Sequence, residues 1–88
     1  MKIVKIGAVW CPGCLVMKKI WTNILKNNNL DIIDLDYDMD SEEICKYNVG
    51  SVLPVVIFID NNGNELERII GEQKEGKLLE LIEKYKVM

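Results

Sequence analysis

The hydrophobic period changes abruptly near the start of the chain, and this change sets the strongest limit on the fold. Residues 2–9 are rich in Ile and Val, which is typical of a buried β-strand. Over residues 11–27 the apolar positions recur every three to four residues, which predicts an amphipathic helix. A strand, a helix and a further strand in this order form a unit with parallel pairing. The apolar positions of the helix are Cys14, Met17, Ile20, Trp21, Ile24 and Leu25.

Acidic and apolar residues alternate after this helix. Apolar residues occupy every second position from 33 to 39, which predicts a strand over at least the first half of the segment. Ser41 and the two glutamates after it favour a short helix through Tyr47, because a hydroxyl cap and acidic residues suit a helix N-terminus. The aspartates resemble a metal-binding stripe but are expected to form a solvated face. They are Asp34, Asp36, Asp38 and Asp40.

The second half of the chain contains a hairpin and a final helix. The hairpin is predicted to consist of a buried strand over residues 55–60, a turn over 61–64 and a returning strand over 66–70. The turn is placed there because Asn and Gly tolerate tight turns. A helix over about residues 73–85 is expected to bury its apolar face. The order βαβαββα indicates an α/β fold in which three helices flank one mixed four-stranded sheet, and we expect residues 1–88 to form a single domain. The buried residues of the last helix are Leu78, Leu81, Ile82 and Tyr85.

Composition argues against several classes of function. The net charge is −3 and the charges are interspersed, so no basic patch supports nucleic-acid binding. The longest apolar stretch, residues 52–59, is too short to span a membrane. Lys5 interrupts the N-terminal apolar run and no cleavage site follows, so no signal peptide is expected. The 3 cysteines are too few, and odd in number, for a secreted disulfide scaffold, so we predict a cytoplasmic protein. We also expect it to be a monomer.

The sequence W-C-P-G-C at residues 10–14 is the candidate chemical centre. With Cys11 as the N-cap, Pro12 takes the first helical position, where its missing N–H costs nothing. Helical residues three apart have Cα atoms about 5 Å apart, a separation that a disulfide accepts. The pair can therefore open and close reversibly. The helix N-terminus favours a Cys11 thiolate, and Cys14, one turn deeper on the core face, is the better resolving thiol.

Other roles for the cysteine pair remain as alternatives. A zinc site needs four ligands, and in a chain without histidine only Cys45 could add to the pair, so metal binding would need a second copy or a cluster. A permanent disulfide across so small a loop would stabilise little. A redox couple is the favoured interpretation. Cys45 itself is expected to be a semi-buried helix residue, with a regulatory or dimerising thiol as the alternative.

The ordered context of the pair resembles the thioredoxin superfamily over nearly the whole chain, at the length of the minimal, glutaredoxin-sized core. The matching features are W-C-x-x-C between a strand and a helix, K-Y-N-V-G-S-V, a proline, V-V-I-F, N-G and a glycine before the final helix. The resemblance implies a small thiol–disulfide oxidoreductase. In such a protein Cys11 attacks a substrate disulfide and Cys14 resolves the mixed disulfide.

The resemblance also implies partners. We expect disulfide-containing protein substrates, re-reduction by a thioredoxin-reductase-like flavoprotein, and no bound cofactor beyond the Cys11–Cys14 disulfide. The alternatives are a glutaredoxin-like protein recycled by glutathione and a redox-inactive adaptor or metal carrier on the same fold. Glutaredoxins that bind glutathione favour Thr-Val-Pro, and the segment V-L-P at residues 52–54 does not match it.

Several residues match the substrate-binding positions of the family. Trp10 matches the flanking aromatic residue, Pro54 the cis-proline beside the substrate chain, and Gly71 the glycine that leaves room for a partner. Simpler alternatives are that Trp10 belongs to the core and that Gly71 only ends a strand. Three further residues adjoin these positions and are assigned to the same surface: Pro12, Gly13 and Leu53.

Three features depart from the thioredoxin pattern near this surface. The Pro-Gly dipeptide reverses the family's Gly-Pro, which tunes the redox potential. Leu53 is an extra residue before Pro54, so either a bulge absorbs it or the substrate loop differs. Val55 stands where Thr is usual.

A fourth departure lies beneath the cysteines. Many thioredoxins bury an aspartate six residues before the first cysteine and pair it with a lysine, and the same offsets here give Lys5 and Asp34, with the charges exchanged. A lone buried charge is costly, so we expect these residues to pair beneath the cysteines. Asp34 would then act as a base for Cys14, or Lys5 as a cation that favours a thiolate. Alternatively, Lys5 extends to solvent and Asp34 faces water.

Overall fold

A computed structural model describes residues 1–86 and has the expected order of elements, βαβαββα. The first strand ends at Gly7, two residues earlier than predicted, and the last helix begins two residues later than predicted. The chain enters a turn at residues 9 and 10 after β1, and residues 73 and 74 before α3 have no regular structure. The strands are β1 (Lys2–Gly7), β2 (Asp31–Asp36), β3 (Val55–Ile59) and β4 (Glu65–Ile70), and the helices are α1 (Pro12–Asn27), α2 (Ser41–Cys45) and α3 (Glu75–Lys86).

The described strands form one mixed sheet in the order β2-β1-β3-β4. Strand β1 pairs in parallel with β2 and antiparallel with β3, and β3 pairs antiparallel with β4. The central strands β1 and β3 have buried residues on both faces of the sheet, as their Ile and Val content predicts. The α/β fold predicted from the sequence is therefore confirmed.

The larger core lies between one face of the sheet and the helices α1 and α3. Ile3 of β1 belongs to this core, so the alternation of a strand directs Lys5 and Gly7 to the same face. Each large aliphatic or aromatic side chain that is fully buried here stabilises the fold by about 1.5–3 kcal/mol. The core contains the predicted residues Met17, Trp21, Ile24, Leu78, Leu81, Ile82 and Tyr85.

The opposite face of the sheet carries a smaller cluster beneath α2. It consists of Val4, Ile6, Val55 and Ile57 with Ile44 of the helix. Residues 52–54 pass along its edge, and Leu53 is half-buried against it.

Some local predictions are wrong. Asp40, not Ser41, is the N-cap of α2, and its carboxylate accepts the backbone N–H of Asp36 at 2.7 Å instead of capping the helix. The helix ends at Cys45, whose side chain is exposed rather than semi-buried because the helix has only 5 residues and packs through one of them. Leu25 is 41% exposed, since it lies at the margin of the apolar stripe of α1.

Within residues 1–86, none of the helices combines the length and the apolar character that a membrane crossing requires.

Candidate active site

Cys11 is held at the junction between β1 and α1. Its backbone is extended, with φ −92° and ψ 112°, and its N–H donates to the carbonyl of Ala8 at 3.2 Å. Its sulfur accepts the backbone N–H of Cys14 at 3.2 Å, as an N-cap side chain should. The first turn of α1, which contains Pro12 and Gly13, has no acidic residue of its own, and the nearest atoms to Gly13 from other segments include the Glu72 Oε1, 3.7 Å from where a Cβ would lie. The Cys11 sulfur therefore lies at the N-terminus of α1, within hydrogen-bond distance of a backbone N–H of the first turn.

Cys14 lies directly over Gly7 of β1. A Cβ placed on Gly7 would be 3.1 Å from the Cys14 sulfur, so the missing side chain of this glycine leaves the space that the thiol occupies. Burial is the main cause that raises the pKa of Cys14 to about 11, and the hydrogen bond with the Cys11 side chain adds to it. At neutral pH this thiol is therefore protonated and must lose its proton before it can attack.

The two thiols do not have the relative burial that the helical period predicted. Cys11 is only 5% exposed, whereas Cys14 is half-buried. Cys14 is not the deeper residue because it lines a cleft of about 440 Å³ bounded by β1, α1 and β2. Val9 and Leu15, at this cleft's edge, are 82% and 62% exposed. We call this space the Cys14 cleft; its charged residues are Lys5, Lys18, Asp34, Asp36 and Asp40.

Lys5 and Asp34 face each other across the β1–β2 pair. They are register partners, and the Lys5 Nζ lies 3.1 Å from the Asp34 Oδ1. The lysine side chain is 19% exposed and the aspartate 73%. The expected pairing is therefore present and Lys5 does not extend into solvent, but Asp34 faces water, as the alternative held. The Lys5 Nζ also lies 5.3 Å from the ring centroid of Trp21.

The contact with Trp21 matters as much as the ion pair for the position of Lys5. An ion pair with so exposed a carboxylate contributes about 0–1 kcal/mol. A cation over an aromatic ring contributes about 0.5–1 kcal/mol at the surface and about 2 kcal/mol when it is desolvated. Lys5 therefore remains at the base of the cleft largely through its packing on the core.

Trp10 is at the surface beside the cysteines and is not a core residue. It is 56% exposed, and its Nε1 donates to the Oδ2 of Asp38 at 2.7 Å. The rings of Trp10 and Tyr37 pack edge to face, with their centroids 6.1 Å apart. The indole is thus held in one orientation while much of it stays accessible.

Pro54 and Gly71 lie next to the cysteine turn. The Leu53–Pro54 peptide is cis, as the resemblance implied. The carbonyl of Pro54 accepts the N–H of Gly71 at 2.8 Å, and a Cβ on Gly13 would lie 3.3 Å from the Pro54 ring. Gly71 has φ +93°, and no described atom lies within 4 Å of where its Cβ would be, so the backbone here is open to a partner.

The structure brings most of the predicted substrate-binding residues into one surface. Pro12 is exposed beside Cys11. Leu53 differs, because its half-buried side chain packs on the cluster beneath α2 rather than standing free at the surface. We call the combined surface the substrate rim; it consists of Trp10, Pro12, Gly13, Leu53, Pro54 and Gly71.

Sequence reasoning missed three residues of the site. Gly7 makes room for the Cys14 thiol, and a glycine inside an otherwise Ile- and Val-rich strand is a signal of close approach. Tyr37 and Asp38 orient Trp10, and no local pattern indicates this because the contact spans 28 positions. The expected solvated face of aspartates is wrong in part, since Asp36 is half-buried and its carboxylate accepts the N–H groups of Asp38 and Met39.

Within residues 1–86, no three His, Cys, Asp or Glu side chains lie close enough together to hold an ion.

Comparison with known proteins identifies the family. Residues 1–84 match the family model described as thioredoxin. A thioredoxin of Staphylococcus epidermidis is 26% identical over 87 residues, which cover 97% of this chain and 82% of that protein. A thioredoxin of Staphylococcus aureus is 25% identical with the same coverage.

Solved structures agree with the family match. Thioredoxin 1 of Thermosipho africanus superposes with a TM-score of 0.82 at 26% identity, covering 97% of this chain and 93% of that one. The reduced thioredoxin pre-protein of Schistosoma mansoni superposes with a TM-score of 0.83 at 25% identity, covering 96% and 77%. The chain therefore belongs to the thioredoxin family and is a thiol–disulfide oxidoreductase.

Proposed function

We propose that this protein reduces disulfides in other proteins, with Cys11 as the attacking thiol and Cys14 as the resolving thiol. The observation that carries the proposal is the N-cap geometry of Cys11, whose sulfur accepts the Cys14 N–H at 3.2 Å at the start of α1. This geometry directs a backbone N–H at the Cys11 sulfur, at a helix N-terminus where thiolates are favoured, and it supports Cys11 as the attacking thiol.

In the first step the Cys11 thiolate attacks one sulfur of a substrate disulfide. The substrate S–S bond breaks, a Cys11–substrate disulfide forms, and the other substrate sulfur leaves as a thiolate that takes a proton from water. Cys11 is only 5% exposed, so the substrate sulfur must approach closely and displace water from the substrate rim. Removal of water strengthens the attraction between the thiolate and the helix N–H groups.

In the second step Cys14 loses its proton and attacks the Cys11 sulfur. The substrate leaves as a second thiolate, and the Cys11–Cys14 disulfide forms. Because the pKa of Cys14 is raised to about 11, this step needs help at neutral pH. We propose that Lys5 favours the forming thiolate, since it occupies the same face of β1 as Gly7, two residues away. Asp34 holds Lys5 in place through the ion pair, and the proton of Cys14 goes to water in the cleft.

The substrate rim is proposed to bind extended protein segments. The exposed indole of Trp10 and the open backbone at Gly71 flank Pro54, and two apolar side chains continue the surface, Val52 and Ile70, at 58% and 56% exposure. Apolar residues exposed together around a reactive group mark a site for protein contact. Leu53 contributes its backbone, since its side chain packs inward.

Re-reduction needs an electron donor. Thioredoxins use a reductase in general and need no cofactor beyond the redox-active cysteines. We propose a thioredoxin-reductase-like flavoprotein for this chain. Recycling by glutathione and a redox-inactive adaptor or metal carrier are the alternatives. The single domain over residues 1–88, the monomeric state and the cytoplasmic location stay predictions.

Turnover of insulin with dithiothreitol tests the proposal. The wild-type protein should reduce insulin, Cys11→Ser should abolish turnover, and Cys14→Ser should accumulate a mixed disulfide that mass spectrometry locates on Cys11. Cys45→Ser is the matched control, since it also removes a thiol, but an exposed one in α2, and should keep full activity.

Absence of insulin turnover by the wild-type protein would favour the adaptor. Metal in anaerobically purified protein, with loss of that metal in both Cys11→Ser and Cys14→Ser, would favour the carrier. Replacing dithiothreitol with a flavoprotein reductase or with glutathione and glutathione reductase distinguishes the two proposed electron donors.

A further inference from the structure

We propose that Glu72 makes the substrate rim selective for disulfides that lie beside lysine or arginine in the substrate chain. The inference rests on the proposed function, because it names the class of protein segment that Cys11 attacks. The exchange at the cysteines is the same for every substrate, and Glu72 changes only how readily a segment reaches the rim and stays there. Glu72 is therefore a specificity-determining residue of the site and not a catalytic one.

The first support is the position of Glu72 beside the cysteine turn. A Cβ on Gly13, which lies between the two active-site cysteines in the sequence, would be 3.7 Å from the Glu72 Oε1 and 3.9 Å from the Glu72 Cβ. The same Cβ would lie 3.3 Å from the Pro54 ring. The carboxylate of Glu72 therefore lies where the cysteine turn meets Pro54, and a substrate segment bound at the rim passes close to it.

The second support is that the backbone on both sides of Glu72 is tied to the rest of the site. The N–H of Gly71 donates to the carbonyl of Pro54 at 2.8 Å. The N–H of Gln73 donates to the sulfur of Met17 at 3.4 Å, and Met17 is a core residue of α1 that is only 2% exposed. The two neighbours of Glu72 thus hold it at a fixed place, so a substrate meets a preorganised charge.

The third support is that the charge of Glu72 is available to a substrate. The side chain is exposed, and the ion pairs found within residues 1–86 all join other residues. The carboxylate of Asp38, by contrast, already accepts the Nε1 of Trp10. Residues 72–75 contain two glutamates and one lysine, so this segment keeps a net negative charge beside the rim.

A negative charge gives the rim a preference that its apolar residues do not supply. The exposed side chains of Trp10, Val52 and Ile70 favour apolar segments without regard to the sign of any charge nearby. A lysine or arginine beside the substrate cysteine is attracted to Glu72, whereas an aspartate or glutamate there is repelled. Because the Glu72 side chain is exposed, salt screens this attraction, and we expect it to change reaction rates by about fivefold at most.

Two disulfide-linked peptides that differ only in charge test the preference. Each is a dimer of one short peptide whose single cysteine is flanked by lysines in one version and by glutamates in the other. The pre-reduced protein, in a Cys45→Ser background that removes the exposed third thiol, is mixed with each peptide, and acid quenching with chromatography gives the second-order rate constant. Each rate constant is divided by that for dithiothreitol, which lacks Glu72 but is subject to the same effect of flanking charge on the peptide disulfide.

We expect the normalised rate to favour the lysine peptide by about threefold at an ionic strength of about 0.1 M, and Glu72→Gln to remove most of this preference. Glu72→Lys should reverse it. Glu83→Gln is the matched control, because it removes the same charge from an exposed position roughly 12 Å along α3, beyond the screening length of about 10 Å. This control should keep the wild-type ratio, and an ionic strength of about 1 M should remove the preference of the wild-type protein.

An unchanged ratio in Glu72→Gln would overturn the inference. An equal loss in Glu72→Gln and Glu83→Gln would overturn it as well, since net charge would then set the preference. Failure of the proposed function gives a different result, in which the pre-reduced wild-type protein leaves both peptides and insulin intact, and the inference falls with it. If the wild-type protein reduces both peptides at equal normalised rates, the proposed function stands and the inference fails.

Discussion

The two sides of the cysteine pair differ in how closely they follow the thioredoxin pattern. On the Cys11 side, the exposed Trp10, the cis peptide at Pro54 and the open backbone at Gly71 are what the family resemblance implies. On the Cys14 side, a lysine occupies the position where many relatives bury an aspartate, and the thiol borders a charged cleft. Substrate contact and proton handling can therefore change independently around one conserved reaction.

The largest effect on the Cys14 side is expected from a substitution that fills the space beneath this thiol. Gly7→Val should reduce the free energy of unfolding by about 1–3 kcal/mol, because even the first carbon of the new side chain would lie 3.1 Å from the Cys14 sulfur. Gly50→Val is the matched control. No described atom lies within 4 Å of a Cβ there, so the change should stay within about 0.5 kcal/mol. Urea unfolding measures both, and equal losses would show that Gly7 has no packing role.

Removal of the cation tests the proton handling itself. Lys5→Met keeps the packing on Trp21 but should slow resolution of a trapped Cys11 mixed disulfide about tenfold at neutral pH, equivalent to about 1.4 kcal/mol. Asp34→Asn keeps the cation and removes the carboxylate, so it should slow resolution less. Stopped-flow measurement across pH separates the two residues. A larger effect of Asp34→Asn would assign the main role to the base rather than to the cation.

The pH dependence of stability provides a test without catalysis. The folded protein raises the pKa of Cys14 from 9.0 to about 11, so above pH 9 the unfolded chain releases this proton first. The free energy of unfolding should therefore decline as pH rises from about 9 to about 11, and this contribution should be complete below that range. Cys14→Ser should decline less over the same interval. Parallel curves for the two proteins would contradict the raised pKa.

The smallest effect is expected at the substrate rim. Asp38→Ala removes the 2.7 Å hydrogen bond that orients Trp10, and because the bond is exposed it should raise the KM for insulin about twofold, near 0.5 kcal/mol. Asp31→Ala removes an equal charge at the far end of β2 and should leave KM unchanged. A matching rise in both variants would mean that net charge, not the orientation of Trp10, sets substrate affinity.

Local signals predicted the elements that position Cys11. Pro12 marks the first helical residue, and the Asn-Gly turn joins β3 to β4, so both boundaries follow from backbone chemistry. The pairing of Lys5 with Asp34 was also predictable, from the cost of a lone charge in an apolar strand.

The Cys14 cleft was not predictable from the sequence, because a cleft forms only where the side chains of neighbouring elements leave a space open. The helical period places Cys14 on the core face of α1, but whether neighbours cover that thiol depends on side chains from β1 and β2. Similarly, the alternation of β2 predicts a solvated aspartate face, while Asp36 turns its carboxylate to backbone N–H groups of the following turn. Such contacts form between different elements of the fold, so a local sequence pattern does not predict them.

The turn after β2 serves both sides of the site. Asp38 holds Trp10 at the substrate rim, while Asp36 and Asp40, two positions to either side, line the Cys14 cleft. A five-residue stretch, residues 36–40, thus borders both the indole at the substrate rim and the cleft beside Cys14. A substitution in this stretch therefore alters the surroundings of both cysteines, and a change meant for one side alone belongs in α1 or in the loop before Pro54.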